Sequence, residues 1–419
     1  MLSKTSIKNL QCTRNRDYLV VKNNSKNPSY SHGKSVRRNI RSVQIRSGQS
    51  VSKQYKTHDK CDAVTYDTSP SSNSPNSPNS PNSPNSPNYR PLNQLDALRE
   101  ITDINVETYD FNNISQFSPH YATNNLSLMY HALKHNDHRD EYRDKLKEAL
   151  TYSTCLSSSS QRLEETLDIL SCVFTRDLTK TVPGYVSTEI DIRLSYDTEA
   201  TLEKTYKLLW YYRNMGVDTS RILIKLASTW EMMEACKVLQ NDGVNCNMSH
   251  IFSLSQAAAA AQMNAKMISA PTSIMGDQRS SSNDTDDTKA IVEASYYDPD
   301  ITRLKQIYNY YKYKKIGTII NVTGCNNKSQ LLKLSGMDVL TISPELLTEL
   351  SNCYKPFPLK CSKKTAEKWF PGKDFPDLNE DNFNDLLFRD KNARKALENN
   401  IYKCAKDVHK LENIIYNVL

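Results

Sequence analysis

A single lysine, Lys225, interrupts the otherwise apolar run from Arg221 to Ser228, R-I-L-I-K-L-A-S. A strand with one wet face alternates polar and apolar residues; this run does not, so it reads as buried on both faces. An ammonium placed there loses hydration, which is expected to lower the pKa of Lys225 and make the neutral amine accessible. A neutral amine in a dry pocket attacks a ketone and forms a Schiff base. The iminium then draws electrons from the neighbouring carbon–carbon bond, so that this bond can break or form. Glu189 and Glu107 are the carboxylates suited to shuttle protons for such a step, directly or through a water. Asn125, Asn247, Ser249 and Ser269 are further polar residues that fall toward the C-terminal ends of strand candidates. The competing account of Lys225 is a lysine at a strand end that carries its charge out to solvent.

Positioning these groups requires strands that deliver them to one place. The chain offers candidates at 102–108, 120–125, 185–193, 221–228, 244–252, 265–271, 317–324 and 339–343. Helical stretches such as "EATLEKTYKLLWYYRNMG" and "ITRLKQIYNYYKYKK" lie between most of them. Eight strands alternating with helices over about 250 residues predict a single (β/α)8 TIM barrel, an α/β fold. A doubly wound sheet would show a glycine-rich phosphate turn, and no G-x-G-x-x-G follows a strand here. In a barrel the reacting groups occupy the C-terminal ends of the strands. Glu107, Asn125, Glu189, Lys225, Asn247, Ser249 and Ser269 come from the first six strands in order, as convergence on one mouth demands. Extra helices from Asn379 to Leu419 are expected on the barrel exterior.

The formal charge of +7 is unevenly spread. Residues 1–58 hold 13 Lys+Arg and one acid (13 − 1 = +12), which leaves 54 − 13 = 41 basic and 47 − 1 = 46 acidic residues, a balance of −5. The basic character therefore belongs to an arm, and nucleic acid is not an expected partner of the folded part. Residues 74–88 repeat S-P-N five times and cannot form a core, which marks 1–88 as a disordered basic arm and linker and 89–419 as the barrel. Ten cysteines without a C-x-x-C pair suggest free thiols in a reducing compartment. The longest apolar runs fall short of a membrane span, so no membrane partner is expected. The expected location is cytoplasmic; the Arg/Lys/Ser-rich start, poor in acids, makes organelle targeting the alternative.

Two patterns imitate sites. His131, His135 and His138 are spaced to share one helical face. No carboxylate or cysteine completes a metal set, so a solvated face is expected and no metal. "YNYYKYKK" mixes aromatics with lysines as some nucleic-acid surfaces do, but a barrel helix with packed tyrosines accounts for it better.

The segments "VPGYVSTEIDIRLSYDTEA", "DTSRILIKLASTWE", "GVNCNMSHIFS" and "LTISPELL" resemble the signature segments of the transaldolase family, from about Leu92 to the C-terminus. The resemblance implies a class I aldolase-type barrel. Such a barrel moves a dihydroxyacetone unit between sugar phosphates in the pentose phosphate pathway: sedoheptulose 7-phosphate and glyceraldehyde 3-phosphate give erythrose 4-phosphate and fructose 6-phosphate. It implies Lys225 as the Schiff-base lysine and Glu189 with Ser249 as holders of the catalytic water. It also implies Glu107 as acid/base, Asn125, Asn247 and Ser269 as sugar-binding residues, and no cofactor. A homodimer is a further expectation.

The chain departs from the family pattern in four places. Glu107 stands where the family has an aspartate, one methylene shorter. Ile274 stands where "ISPFVGR" carries a phosphate-binding arginine. Gly324 and Asn326 replace the serine and arginine of "GASFRN". Tyr121 and Leu126 replace an aspartate and a proline. Arg279, five residues beyond Ile274, is the candidate substitute for a lost phosphate arginine, although its polar surroundings read as a solvated loop. The alternatives to a transaldolase are therefore a catalytically impaired scaffold and an aldolase for unphosphorylated sugars.

Overall fold

The computed structural model describes residues 92–419 apart from 109–113, 135–138, 154–157, 275–297, 369, 371, 373 and 376. The arm, the S-P-N repeat, His135, His138 and Arg279 lie outside the described residues. All eight expected strands form. They are β1 (Asp103–Glu107), β2 (Tyr121–Asn124), β3 (Val186–Glu189), β4 (Ile222–Ala227), β5 (Cys246–Ser249), β6 (Met267–Pro271), β7 (Ile319–Thr323) and β8 (Val339–Thr341). They pair in parallel, in sequence order, into a closed barrel, with β8 returning to β1 at Asp103 opposite Val339. The chain is a (β/α)8 barrel with additional C-terminal helices.

The alternation of side chains along each strand explains why β4 reads as continuously apolar. Ile222, Ile224 and Leu226 are buried in the core shared with the helices, whereas Leu223 belongs to a separate small cluster. That cluster, with Tyr121, Met267 and Val339 and the half-buried Tyr185 and Ile319, forms the apolar floor of the barrel interior. Tyr121, standing in place of the family's aspartate, stacks on Tyr185 there with centroids 6.0 Å apart, a packing role. Two residues further along each strand comes Lys225 or a small polar residue, and two further again the residues of the mouth.

Strand β3 ends earlier than expected, at Glu189 and not at Arg193. Asp191 accounts for the difference: its Oδ1 accepts the backbone N–H of Arg193 at 3.0 Å and starts a 3-10 turn over Ile192–Leu194. A short polar side chain that satisfies its own backbone competes with the sheet ladder. The helices Thr198–Asn214 and Pro299–Tyr313 begin at aspartate N-caps, Asp197 and Asp298. The tyrosines Tyr308, Tyr310 and Tyr311 of the second are buried, as the packing account of "YNYYKYKK" requires. The final helix, Lys391–Tyr416, packs on the helices Leu126–Lys134 and Ser159–Leu178 and on the turn Ile192–Leu194. It therefore reaches the rim as well as the exterior.

Candidate active site

Lys225 is the fourth residue of β4, inside the barrel and not at the strand end. Its Cα pairs with Glu189 on β3 and with Asn247 on β5. Asn247 and Ser269 likewise stand within β5 and β6, a level below the mouth, whereas Glu107, Glu189 and Ser249 end their strands and Asn125 follows β2. Lys225 Nζ lies 3.6 Å from Glu189 Oε1, with the two side chains 12% and 4% exposed, which excludes a lysine pointing to bulk solvent. Glu107 Oε1 accepts from Asn125 Nδ2 at 2.5 Å. The Oδ1 of the same amide caps the next helix by accepting from the Leu128 N–H at 2.7 Å, so Asn125 is held at both ends.

The expected depression of the Lys225 pKa does not occur. Burial does favour the neutral amine, but the negative charges of Glu189 and Glu107 outweigh it and hold Lys225 above the ordinary lysine value. Glu189 is pushed above the ordinary carboxyl range by burial, against the pull of Lys225, with the like charge of Glu107 adding to the rise. At rest Lys225 is an ammonium held between the side chains of Glu189 and Glu107. Because Glu189 holds a proton more readily than a wet carboxylate, it is a suitable acceptor for the proton that Lys225 must give up before attack. Cys404 of the last helix interacts electrostatically with both Glu189 and Lys225, and burial raises its thiol to about 11, so it stays protonated near neutrality.

Asn247 and Ser269 belong to a larger arrangement that the sequence reading missed. Thr123 Oγ1 donates to Asn105 Oδ1 (3.4 Å), Asn105 Nδ2 to Thr341 Oγ1 (2.7 Å), and Thr341 Oγ1 to Asn321 Oδ1 (2.8 Å). Asn321 Nδ2 donates to Ser269 Oγ (3.2 Å), Ser269 Oγ to Asn247 Oδ1 (3.0 Å), and Asn247 Nδ2 to Ser187 Oγ (3.0 Å). Seven buried side chains on every strand except β4 form a belt of hydrogen bonds that runs from Thr123 to Ser187, with Asn105 Nδ2 also donating back to Thr123 Oγ1 at 3.1 Å. Buried polar groups are tolerated when each is satisfied in this way. The signal was available: Asn105, Thr123, Ser187 and Asn247 each precede by two residues a group already assigned to the mouth. His250 was also missed; its ring Nδ1 lies 2.9 Å from Ser249 Oγ. Among the described residues no group of three or more His, Cys, Asp and Glu is placed to hold a metal ion, and His131 is exposed.

Residues 104–415 match the family model described as transaldolase/fructose-6-phosphate aldolase. The chain belongs to the transaldolase family. It is 37% identical to a transaldolase of Pseudoalteromonas atlantica over 324 residues, which is 77% of this chain and 98% of the relative. It is 37% identical over 330 residues to a probable transaldolase of Drosophila melanogaster (78% and 96%). A probable transaldolase of Dictyostelium discoideum is 36% identical over 332 residues (78% and 99%). Sugar phosphates are the substrate class that this family implies.

The three positions at which the resemblance leads one to expect phosphate-binding residues have distinct surroundings. Ile274 is half-buried and packs against the core. Gly324, at the exit of β7, has φ 73°, a left-handed conformation suited to glycine, and its carbonyl accepts from the Thr272 hydroxyl. Asn326 is exposed and its backbone N–H donates to Gln330 Oε1 at 2.9 Å. None of the three is a cation. The guanidinium of Arg303 donates to the carbonyls of Ile251 and Pro271, at the exits of β5 and β6, so it braces those loops. Among the described residues no helix is long and apolar enough to cross a membrane.

Proposed function

We propose that this transaldolase-family chain transfers a dihydroxyacetone unit between sugar phosphates through a Schiff base on Lys225. The donor is sedoheptulose 7-phosphate or fructose 6-phosphate, and the acceptor is an aldose phosphate of the pentose phosphate pathway. The observation that carries the reading is the Lys225 amine, buried in the barrel 3.6 Å from the Glu189 carboxylate. Glu189 takes the ammonium proton, and the free amine adds to the C2 carbonyl of the ketose. Loss of water gives the iminium. Glu107, tied to Asn125, removes the proton of the C4 hydroxyl as the C3–C4 bond breaks, and its electron pair moves into the enamine. The released aldose departs, an acceptor aldehyde takes its place, and the steps reverse. Water shared by Glu189 and Ser249 adds to the final iminium and frees Lys225. Asn125, Asn247 and Ser269 hold the sugar hydroxyls. No step calls for a cofactor.

Borohydride added with fructose 6-phosphate is expected to leave a covalent adduct on Lys225, detected by peptide mass, and Lys225→Ala to abolish it. Absence of an adduct at millimolar sugar phosphate refutes the reading.

A second reading, aldol chemistry on unphosphorylated sugars, draws support from Ile274, Gly324 and Asn326. Each missing charge-assisted fork forgoes about 1.5–3 kcal/mol of phosphate binding. Turnover of dihydroxyacetone beside that of fructose 6-phosphate decides between the two.

A further inference from the structure

His250 follows β5 directly and takes no part in the chemistry above. Its backbone has φ 60°, in a region where histidine, asparagine and aspartate are the more tolerant side-chain-bearing residues. Such a conformation persists where the surroundings over-determine it. Here the His250 carbonyl accepts from Ser228 Oγ at 2.7 Å and from Gln256 Nε2 at 3.5 Å, and the ring is tied to Ser249. Burial, reinforced by the charge of Lys225, takes the imidazole down to about 3, so the ring is neutral at physiological pH.

A neutral ring has one N–H, and a serine has one O–H. The Ser249 hydroxyl donates to the Leu226 carbonyl at 3.0 Å. The 2.9 Å contact between Ser249 Oγ and His250 Nδ1 is then carried by Nδ1–H, with Ser249 accepting. We propose that His250 is a positioning residue whose Nδ1–H fixes the Ser249 hydroxyl as an acceptor only toward the site, and so orients the water that Ser249 and Glu189 share. The proposal rests on the transaldolase reading given above. A water that meets two acceptors, Ser249 Oγ and the Glu189 carboxylate, gives one hydrogen to each and turns a lone pair outward. That lone pair is the one that must reach the iminium carbon. Without the ring, the Leu226 carbonyl alone holds the Ser249 hydroxyl, which can then turn, donate to the water and occupy the reactive lone pair.

The first test is independent of turnover. Nitrogen NMR of the full chain, with the His250 signals identified by their loss in His250→Asn, is expected to show a neutral Nδ1–H tautomer through the neutral pH range. An Nε2–H tautomer or an imidazolium overturns the proposal. In the second test His250→Ala lowers kcat by about five- to tenfold with a smaller change in KM, the scale of one lost orienting hydrogen bond. His250→Asn, whose amide replaces Nδ1–H and which tolerates the backbone angle, recovers most of that loss. An alanine variant with wild-type kcat overturns the proposal, as does an asparagine variant no better than alanine when both unfold like the parent. Borohydride adducts on Lys225 are measured in parallel. Their absence from the parent chain sinks the Schiff-base reading and with it the water-orienting role. Their presence in all three proteins confines any kinetic difference to His250.

Discussion

Replacing Glu189 by glutamine removes one of the two negative charges that hold Lys225 protonated while keeping nearly the same volume. At 3.6 Å and an effective dielectric near 20, the lost attraction is worth about 4–5 kcal/mol. The sign follows from the site: the carboxylates raise the lysine, so losing one lowers it, and the neutral amine becomes available at lower pH. The energy corresponds to on the order of a thousandfold more free amine at a fixed pH on the acid side. The assay is the initial rate of borohydride trapping with fructose 6-phosphate as a function of pH, beside steady-state turnover. In Glu189→Gln the rising limb of trapping is expected to move to lower pH. Turnover falls by roughly 10²–10⁴-fold, because the general base for water is gone. Trapping and turnover then part company, a result that misfolding does not produce. A limb that stays in place or moves to higher pH refutes the claim that Glu189 holds the ammonium.

Other substitutions probe other parts of the site. Glu107→Ala is expected to lower kcat by at least about a hundredfold while leaving the Lys225 adduct detectable by mass, since the C–C step needs the carboxylate and amine addition does not. Asn326→Arg, at an exposed position, supplies a fork for phosphate and is expected to lower KM for sugar phosphates about tenfold or more. It leaves dihydroxyacetone turnover near its starting value, and equal effects on both would count against a phosphate deficit. Asn321→Ala breaks the belt in the middle and strands the hydroxyl of Thr341; urea unfolding is expected to show a loss of about 2–3 kcal/mol.

The barrel was legible because its strands are short apolar runs at regular intervals, and the mouth because strand ends carry polar residues in order. Lys225 was conspicuous for breaking a buried run. The direction of its pKa shift was not readable. It depends on Glu107 and Glu189 arriving from two other strands, and a sequence shows that the lysine loses water without showing what replaces it. Asn247 and Ser269 stand two residues before the last residues of β5 and β6, one level below the mouth, a difference that residue type alone does not show. Of the belt partners, Asn321 and Thr341 look like ordinary strand residues until the register sets them beside Ser269 and Asn105, whereas Asn105, Thr123 and Ser187 each stand two residues before a mouth group. His250 gave no periodic signal, because its role depends on a left-handed turn after β5.

Asn105, Thr341, Asn321, Ser269 and Asn247, the five inner members of the belt, each receive one hydrogen bond along it and give another. Residues with only one capability, such as aspartate as an ionised acceptor or lysine as a donor, would break the belt at that point. Sequence drift at these five places is therefore confined to a two-handed alphabet of serine, threonine and amide side chains. Exchanges of size must also come in matched neighbouring pairs. In a randomised library of the belt, survivors would show correlated changes between neighbours along it and almost none that stand alone.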